Sequence, residues 1–408
     1  MTESVVITGL GVVAPNGVSV ENFWANCLAG VSGIDRIAKL DCAGLDVDYG
    51  GEIADFDATR YVSRREAERF DPTQVWTAAA AAAALDDAYI DVGAYGAERI
   101  GITIGTGAGP LPAHRTAWDA DRCDGPTAVS PYYSASGTTS MCAGFAARTL
   151  GIRGATISAS GACATGAVSV VAAIQMLATG DADLVLAGAV DAAISRAGLA
   201  TFGHMRALAR HGEPQRASRP LDLDRNGFVL SEGAAVLVLE RAAEARARGA
   251  RMYASIEGHG VTTDPDDLVA SGAGGMLRAG RLALARAGIG AVDVDHLSLH
   301  AAATRAGDLA EARALRELLG ARAAQVPATA PKSMLGHAMG AASAFELVLL
   351  AKTFETGTIP PTINLDRPDP AIRLQADKRA VDTVVRCALK TSVGLGGVNV
   401  ALVLAATP

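Results

Sequence analysis

Short apolar runs alternate along the whole chain with longer stretches of small and amphipathic character. Val5-Val6-Ile7-Thr8 reads as a strand that ends in Gly9-Leu10-Gly11, and 99–104 reads as another that ends in Gly105-Thr106-Gly107. A strand over 155–158 runs into a small-residue turn, and a long helix follows. That helix closes in Gly180-Asp181-Ala182-Asp183, which feeds a strand over 183–188. Further on, 234–240 and 253–258 predict two adjacent strands, and 276–287 a helix that Gly288 ends. Strands over 296–300 and 400–404 follow. Helices that alternate with strands ending in Gly-rich turns predict an α/β fold with its ligand site at the strand C-termini. The layout repeats in two halves, 1–245 and 246–408, although the identity between them is too weak to name a repeat. Segment 109–130, rich in Pro, Asp and Gly, reads as an excursion from the core, and 212–224 as a surface loop.

Composition narrows the picture. Half of the 408 residues are hydrophobic but only 4% are aromatic, so the core must be built from Ala, Val, Leu and Ile. Such a core suits helices packed closely on a buried sheet. No apolar run reads as long enough to cross a membrane, since 76–85 is too short. The opening MTESVVITGLGVV has no basic leader-like region, which predicts a cytoplasmic protein. Cys27, Cys42, Cys123, Cys142, Cys163 and Cys387 are scattered with no CxxC pair, an argument against zinc and against a disulfide framework. A net charge of −7 argues against general nucleic-acid binding.

The chemistry concentrates in four places. Cys163 lies in Ser158-Ala159-Ser160-Gly161-Ala162-Cys163-Ala164-Thr165-Gly166, where strand meets helix. Small neighbours leave the thiol bare, and a helix N-terminus favours its thiolate. This is the layout of a nucleophile elbow, though a buried small hydrophobe is the plainer reading of the same cysteine. His300 falls just past a predicted strand end. Lys332 to His337 (KSMLGH) opens an Ala-rich helix. Gly394, Gly396 and Gly397 make a turn whose N–H groups can face an anion. Singly, these read as a core histidine, a helix cap, a surface lysine and a hairpin. Together, one thiol, two imidazoles, a lysine and an N–H-rich loop are what acyl transfer needs.

The ordered set of Cys163 before a helix closing in GDAD, SRPLDLDRNGFVLSEGAA (218–235), His300 with Asp308 and Glu311, KSMLGH (332–337) and GLGGVN (394–399) resembles the elongating β-ketoacyl synthases of the thiolase superfamily. The likeness runs over nearly the whole chain. It implies a thiolase-like five-layer αβαβα fold built from two similar halves. The N-terminal half would carry the nucleophile and the C-terminal half both histidines, the lysine and the Gly-rich turn. It implies a dimer, homo- or heteromeric, with the helix after Cys163 and the strand 184–187 in its dimer region. It implies no metal and no dissociable cofactor, with substrates on the phosphopantetheine arm of an acyl carrier protein. Residue by residue, Cys163 would take the acyl chain, and the N–H groups of Cys163 and Leu395 would form the oxyanion hole, flanked by Gly394 and Gly396. His300 and His337 would promote decarboxylation of malonyl carrier protein. Lys332 would pair with Glu311, with Asp308, Thr304 and Asn399 in support.

The departures from the family pattern bear on substrate. The family's HGTST run reads His300-Ala301-Ala302-Ala303-Thr304, which removes two hydroxyls from the pantetheine entry. The SFGFGGTN turn reads Ser392 to Asn399 (SVGLGGVN), with Leu395 in place of the gating phenylalanine. Ala108, with Phe202, falls by resemblance at the acyl pocket, where a larger residue is often found. These changes favour a specialised enzyme of type II polyketide or polyene assembly over ordinary fatty-acid elongation. The rival readings are a chain-length-factor-like subunit, which as a rule loses the nucleophile kept here, and a ketosynthase-like acyltransferase or cyclase. An acidic carrier protein calls for a basic patch, and Arg64, Arg65, Arg69, Arg206 and Arg210 are its candidates.

Overall fold

The long strands carry small apolar side chains on both faces, so the sheet has to be covered on both sides. The computed structural model describes residues 4–54, 56–269 and 272–407. Its large sheet comprises β1 (Val5–Val13), β2 (Ile100–Gly105), β3 (Thr156–Ile157), β4 (Leu184–Asp191), β5 (Gly233–Arg241), β6 (Ala254–Thr263), β7 (His296–Ser298), β8 (Pro327–Thr329), β9 (Gln375–Ala376), β10 (Cys387–Gly394) and β11 (Val398–Ala405). These eleven strands run in the order β9-β8-β7-β10-β11-β6-β1-β5-β4-β2-β3. The order divides between β6 and β1 into two half-sheets of matching pattern. In each, parallel pairs lie toward the outside and antiparallel pairs toward the seam.

Six helices build the layers: α1 (Pro72–Asp87), α2 (Met141–Leu150), α3 (Thr165–Thr179), α4 (Ala273–Ala287), α5 (Arg305–Leu319) and α6 (Ala341–Thr356). Helix α1 starts where the sequence dictates. Asp71 caps it and accepts from the Thr73 N–H, Gln74 reaches back to the Asp71 N–H, and Pro72 fills the first position. Helices α3 and α6 pack on each other between the half-sheets. The outer face of the first half-sheet is covered by α1 and α2, that of the second by α4 and α5. Strand alternation sorts the side chains. In β4, Val185 and Ala187 join the inner core while Leu184 and Leu186 face α1. In β11, Val400, Leu402 and Leu404 face inward while Ala401 and Val403 face α4 and α5. The result is the expected αβαβα stack.

Several expectations need correction. Strands β5 and β6 are not neighbours, because β1 lies between them and pairs antiparallel with both; Val5 stands opposite Arg241 on one side and Ile256 on the other. Strand β4 is wholly buried between β5 and β2, so 184–187 offers no dimer surface; the open edge is β3, where Thr156 and Ile157 are both exposed. Residues 212–224 are not simply a surface loop. Ser218, Leu221 and Asp222 are buried, and the Ser218 hydroxyl donates to the Lys332 carbonyl at 2.6 Å. Segment 109–130 does leave the core, as expected, and it does so as a helix, Leu111–Asp124, in which only Ala117 is buried. Finally, Ala162–Thr179 is long and apolar enough by composition to cross a membrane. Here its apolar character serves the contact with both half-sheets and α6.

Candidate active site

Ala162 takes a left-handed φ of +50°, which turns the chain sharply between the strand-like approach and α3 and sets Cys163 at the corner. The turn is held locally. The Gly161 N–H donates to the Thr165 hydroxyl at 3.0 Å, and that hydroxyl donates to the Ala162 carbonyl at 2.7 Å. Cys163 is only 6% exposed. Burial pushes its thiol up to about 11, against the pull of Lys332 and of the N–H groups of Leu395 and of Cys163 itself. The N–H groups at the helix terminus do favour the thiolate, as expected, but burial is the larger effect. Gly394 brings the β10–β11 turn against this corner. A Cβ there would stand 2.2 Å from the Gly161 carbonyl, so only glycine allows the Leu395 N–H to reach the sulfur.

The two histidines come from different loops and meet edge to face, with ring centroids 5.5 Å apart and planes at 85°. His300 follows β7 and is gripped at both backbone ends. Its N–H donates to Glu311 at 2.8 Å, and its carbonyl accepts from the Lys332 ammonium at 2.5 Å. His337 is reached through Gly336, whose φ of +67° turns the chain so that the His337 N–H meets the Val229 carbonyl at 2.7 Å. Burial, and next the Lys332 charge, hold both imidazoles well below their ordinary value. Both are therefore neutral at pH 7, and both can offer an N–H to a developing negative charge.

Cys163, His300, His337, Leu395, Thr304 and Phe202 line one cavity of about 420 Å³. Of the eight non-glycine residues with positive φ among the described residues, four, Ala162, Arg206, Ala303 and Met339, line it or adjoin a residue that does. Backbone strain concentrates there, as it does at working sites. Ala301, Ala302 and Ala303 are buried. Thr304 caps α5, accepting from the Gly307 N–H at 3.1 Å. Ala108 packs beside Cys163 and Phe202 in one apolar cluster without lining the cavity.

Other candidates sit around rather than in the cavity. Asp308 is buried behind it, accepts from the Leu221 N–H at 3.0 Å, and is pushed by burial to about 7. Asn399 braces the turn, donating to Asp264 at 3.2 Å and to the Gly397 carbonyl at 2.8 Å. Gly396 is exposed and its N–H bonds the Leu268 carbonyl. Of the five arginines proposed for a carrier-protein patch, Arg206 lines the cavity and the other four do not; Arg305 lines it as well. Arg64 pairs with Glu68, Arg69 lies over the Tyr132 ring, Arg210 pairs with Asp46, and Arg65 is exposed on the short helix Arg64–Arg69.

The expected Lys332–Glu311 pair is not formed. Lys332 pairs with Glu346 on α6, while Glu311 is spent on the N–H groups of His300 and Ala301 and the Thr391 hydroxyl. Sequence reasoning missed Glu346, and also Lys390 and Asp191. Asp191 is buried and ties two loops together, accepting from the Thr106 hydroxyl and from the N–H groups of Gly107, Ala108 and Gly340. A single acid or lysine inside an apolar run, as Glu346 is in α6 and Lys390 in β10, is the signal that marked the first two.

The model of the β-ketoacyl synthase N-terminal domain matches residues 2–245 and that of the C-terminal domain residues 253–366. The 3-oxoacyl-[acyl-carrier-protein] synthase 2 of Vibrio cholerae serotype O1 is 37% identical over 98% of each chain. That of Staphylococcus aureus strain COL is 36% identical over 98% of this chain and 97% of its own. Among solved structures, the ishigamide ketosynthase/chain length factor superposes with a TM-score of 0.94 at 32% identity. A type II PKS acyl-carrier protein in complex with its ketosynthase (AntDE:AntF) gives 0.92 at 29%. Both cover the full length of both chains. With a buried thiol and two neutral imidazoles lining one cavity of this fold and a buried lysine behind them, the chain belongs to the β-ketoacyl synthase family, the condensing enzymes of the acyltransferase class.

Proposed function

We propose that the cavity carries out a decarboxylative condensation between an acyl group on Cys163 and malonyl-acyl carrier protein. The Cys163 sulfur displaces the carrier thiol from an acyl thioester, and the N–H groups of Cys163 and Leu395 hold the oxyanion of the tetrahedral intermediate. His300 and His337 donate to the malonyl thioester carbonyl, so that loss of CO2 leaves an enolate rather than a free carbanion. The enolate carbon attacks the acyl-Cys163 carbonyl. The new C–C bond forms as the C–S bond breaks and β-ketoacyl carrier protein is released; the departing Cys163 thiolate takes one proton from water to return the thiol, as the carrier thiolate took the Cys163 proton in the acylation step. Lys332 fixes His300 through its carbonyl. The carbon nucleophile arises from decarboxylation itself, so this reading calls for no metal or dissociable cofactor. Both substrates arrive on a phosphopantetheine arm.

The single observation that carries this reading is the convergence of Cys163, His300 and His337 on one cavity, with the Leu395 N–H at the sulfur. The apolar Ala301–Ala303 segment and the half-exposed Leu395 gate support a substrate bulkier or less polar than a simple fatty chain, in type II polyketide or polyene assembly. The relative solved with an acyl-carrier protein supports such a carrier as partner here, and the ketosynthase/chain length factor supports a dimer of this fold, with a second copy or a related subunit. We place this chemistry in the cytoplasm. We read 1–245 as the half that supplies the thiol and 246–408 as the half that supplies the histidines, the lysine and the turn.

Intact-protein mass spectrometry tests it. Wild type incubated with acyl-carrier thioesters is expected to gain the acyl mass, and Cys163→Ala to gain nothing. A chase with malonyl carrier protein is expected to clear the adduct and yield a β-ketoacyl carrier product. An adduct that survives the chase would replace condensation by acyl transfer.

A further inference from the structure

Lys390 is fully buried in β10, four residues before the turn that carries the Gly394–Leu395 backbone, and the chemistry above does not use it. Its ammonium lies 2.6 Å from one carboxylate oxygen of Glu346, whose other oxygen takes Lys332. The same ammonium donates to the Thr391 carbonyl and, at 2.9 Å, to the Ser392 hydroxyl. One carboxylate is thus shared by two buried lysines that lead in different directions. Lys332 runs to the His300 carbonyl, and Lys390 runs to the strand end from which the Leu395 N–H is presented. A buried lysine is costly unless paired, and two on one carboxylate are costlier, so a merely structural role is better served by an apolar residue. Glu311, bonded to Thr391 and to the His300 N–H, closes the ring on the other side.

We propose that Lys390 is a positioning residue for the condensation, coupling the oxyanion turn to His300 through Glu346 and Lys332. It acts in two ways. It fixes Thr391–Ser392, and with them the height of the Leu395 N–H over Cys163. Its charge also adds to that of Lys332, which faces His300 and, with burial, keeps that ring neutral. Removing Lys390 therefore loosens the turn and makes His300 easier to protonate.

The inference rests on the condensing role proposed for the cavity, so wild type and variant are assayed together. Steady-state condensation with malonyl carrier protein is measured from pH 5 to 9 for wild type, Lys390→Met and Ser392→Ala, with thermal melts alongside. Lys390→Met is expected to lower kcat about 10-fold or more with KM for the carrier protein within about 3-fold. It is also expected to move the acid limb of the profile to higher pH by about half a unit or more. An unchanged kcat, or a loss of kcat with an unmoved acid limb, overturns the proposal. If Lys390→Met does not fold, Ser392→Ala decides. It removes one anchor of the ammonium and keeps the ion pairs, so a fall in kcat of about 3-fold at constant KM supports the proposal and no change overturns it. Wild type that fails to condense instead removes the parent reading.

Discussion

A thiol held near 11 is almost wholly protonated at pH 7, and that constrains how Cys163 can react. The enzyme does not store a thiolate. On the proposed reading the negative charge develops only as the acyl donor is attacked, with the N–H groups of Cys163 and Leu395 there to receive it. The consequence is measurable without any carrier protein. Inactivation by iodoacetamide, followed by the mass of the Cys163 adduct, is expected to accelerate about tenfold per pH unit between 7 and 9. A plateau in that range would mean the thiol ionises well below 9 and the desolvation argument is wrong. That Cys163, both histidines and Lys332 belong together was legible in the sequence because each sits on a short local motif with its own turn chemistry. The partner of Lys332 was not. Whether the lysine meets Glu311 or Glu346 depends on which face of α6 turns inward, and no local pattern states that.

At the scale of the element, the short parallel strands β7 and β8 fix the height of His300, and a second histidine inside them carries a pH cost. His296 is buried in β7, and its ring nitrogen meets the Pro327 carbonyl of the next chain segment at 3.1 Å. Burial drives its value down to about 4. The unfolded chain, near 6.5, therefore binds a proton that the folded chain refuses between pH 6.5 and 4. The stability His296 contributes is whole above 6.5 and is lost as pH falls through that window, by roughly 3 kcal/mol at the bottom. His296→Gln is expected to lose less Tm than wild type between pH 7.5 and pH 5, whatever its penalty at pH 7.5. Equal losses in the two proteins would assign acid sensitivity to other groups, the buried His300 and His337 first among them. The helix stop at Gly288 and the strand before His300 were legible from punctuation and apolar runs. The interposition of β1 between β5 and β6 was not, because an all-apolar strand suits any neighbour and only register selects one.

The whole molecule is two half-sheets joined at β1 and β6, and the thiol from one half meets the histidines and turn from the other. Helices α3 and α6, between the halves, carry Cys163 at the head of one and Glu346 within the other, so the central layer is also the scaffold of the site. Of the two edges of the large sheet, β9 and β3, the second exposes an apolar side chain. β3 is two residues long, lies last in the order, and exposes Ile157 by 48% beside Thr156. Natural sheets rarely leave an apolar side chain on an open edge unless something covers it. If a second chain of this fold pairs there, it buries Ile157 close to the segment that leads into Cys163, so loss of the pairing reaches the site. Size exclusion with light scattering is expected to give twice 41.4 kDa for wild type and 41.4 kDa for Ile157→Lys, with Cys163 acylation slowed in the monomer. A wild type that runs as a monomer until a ketosynthase-fold partner is co-expressed would make the pairing heteromeric and leave the edge assignment standing. An Ile157→Lys protein that keeps the doubled mass would place the interface elsewhere.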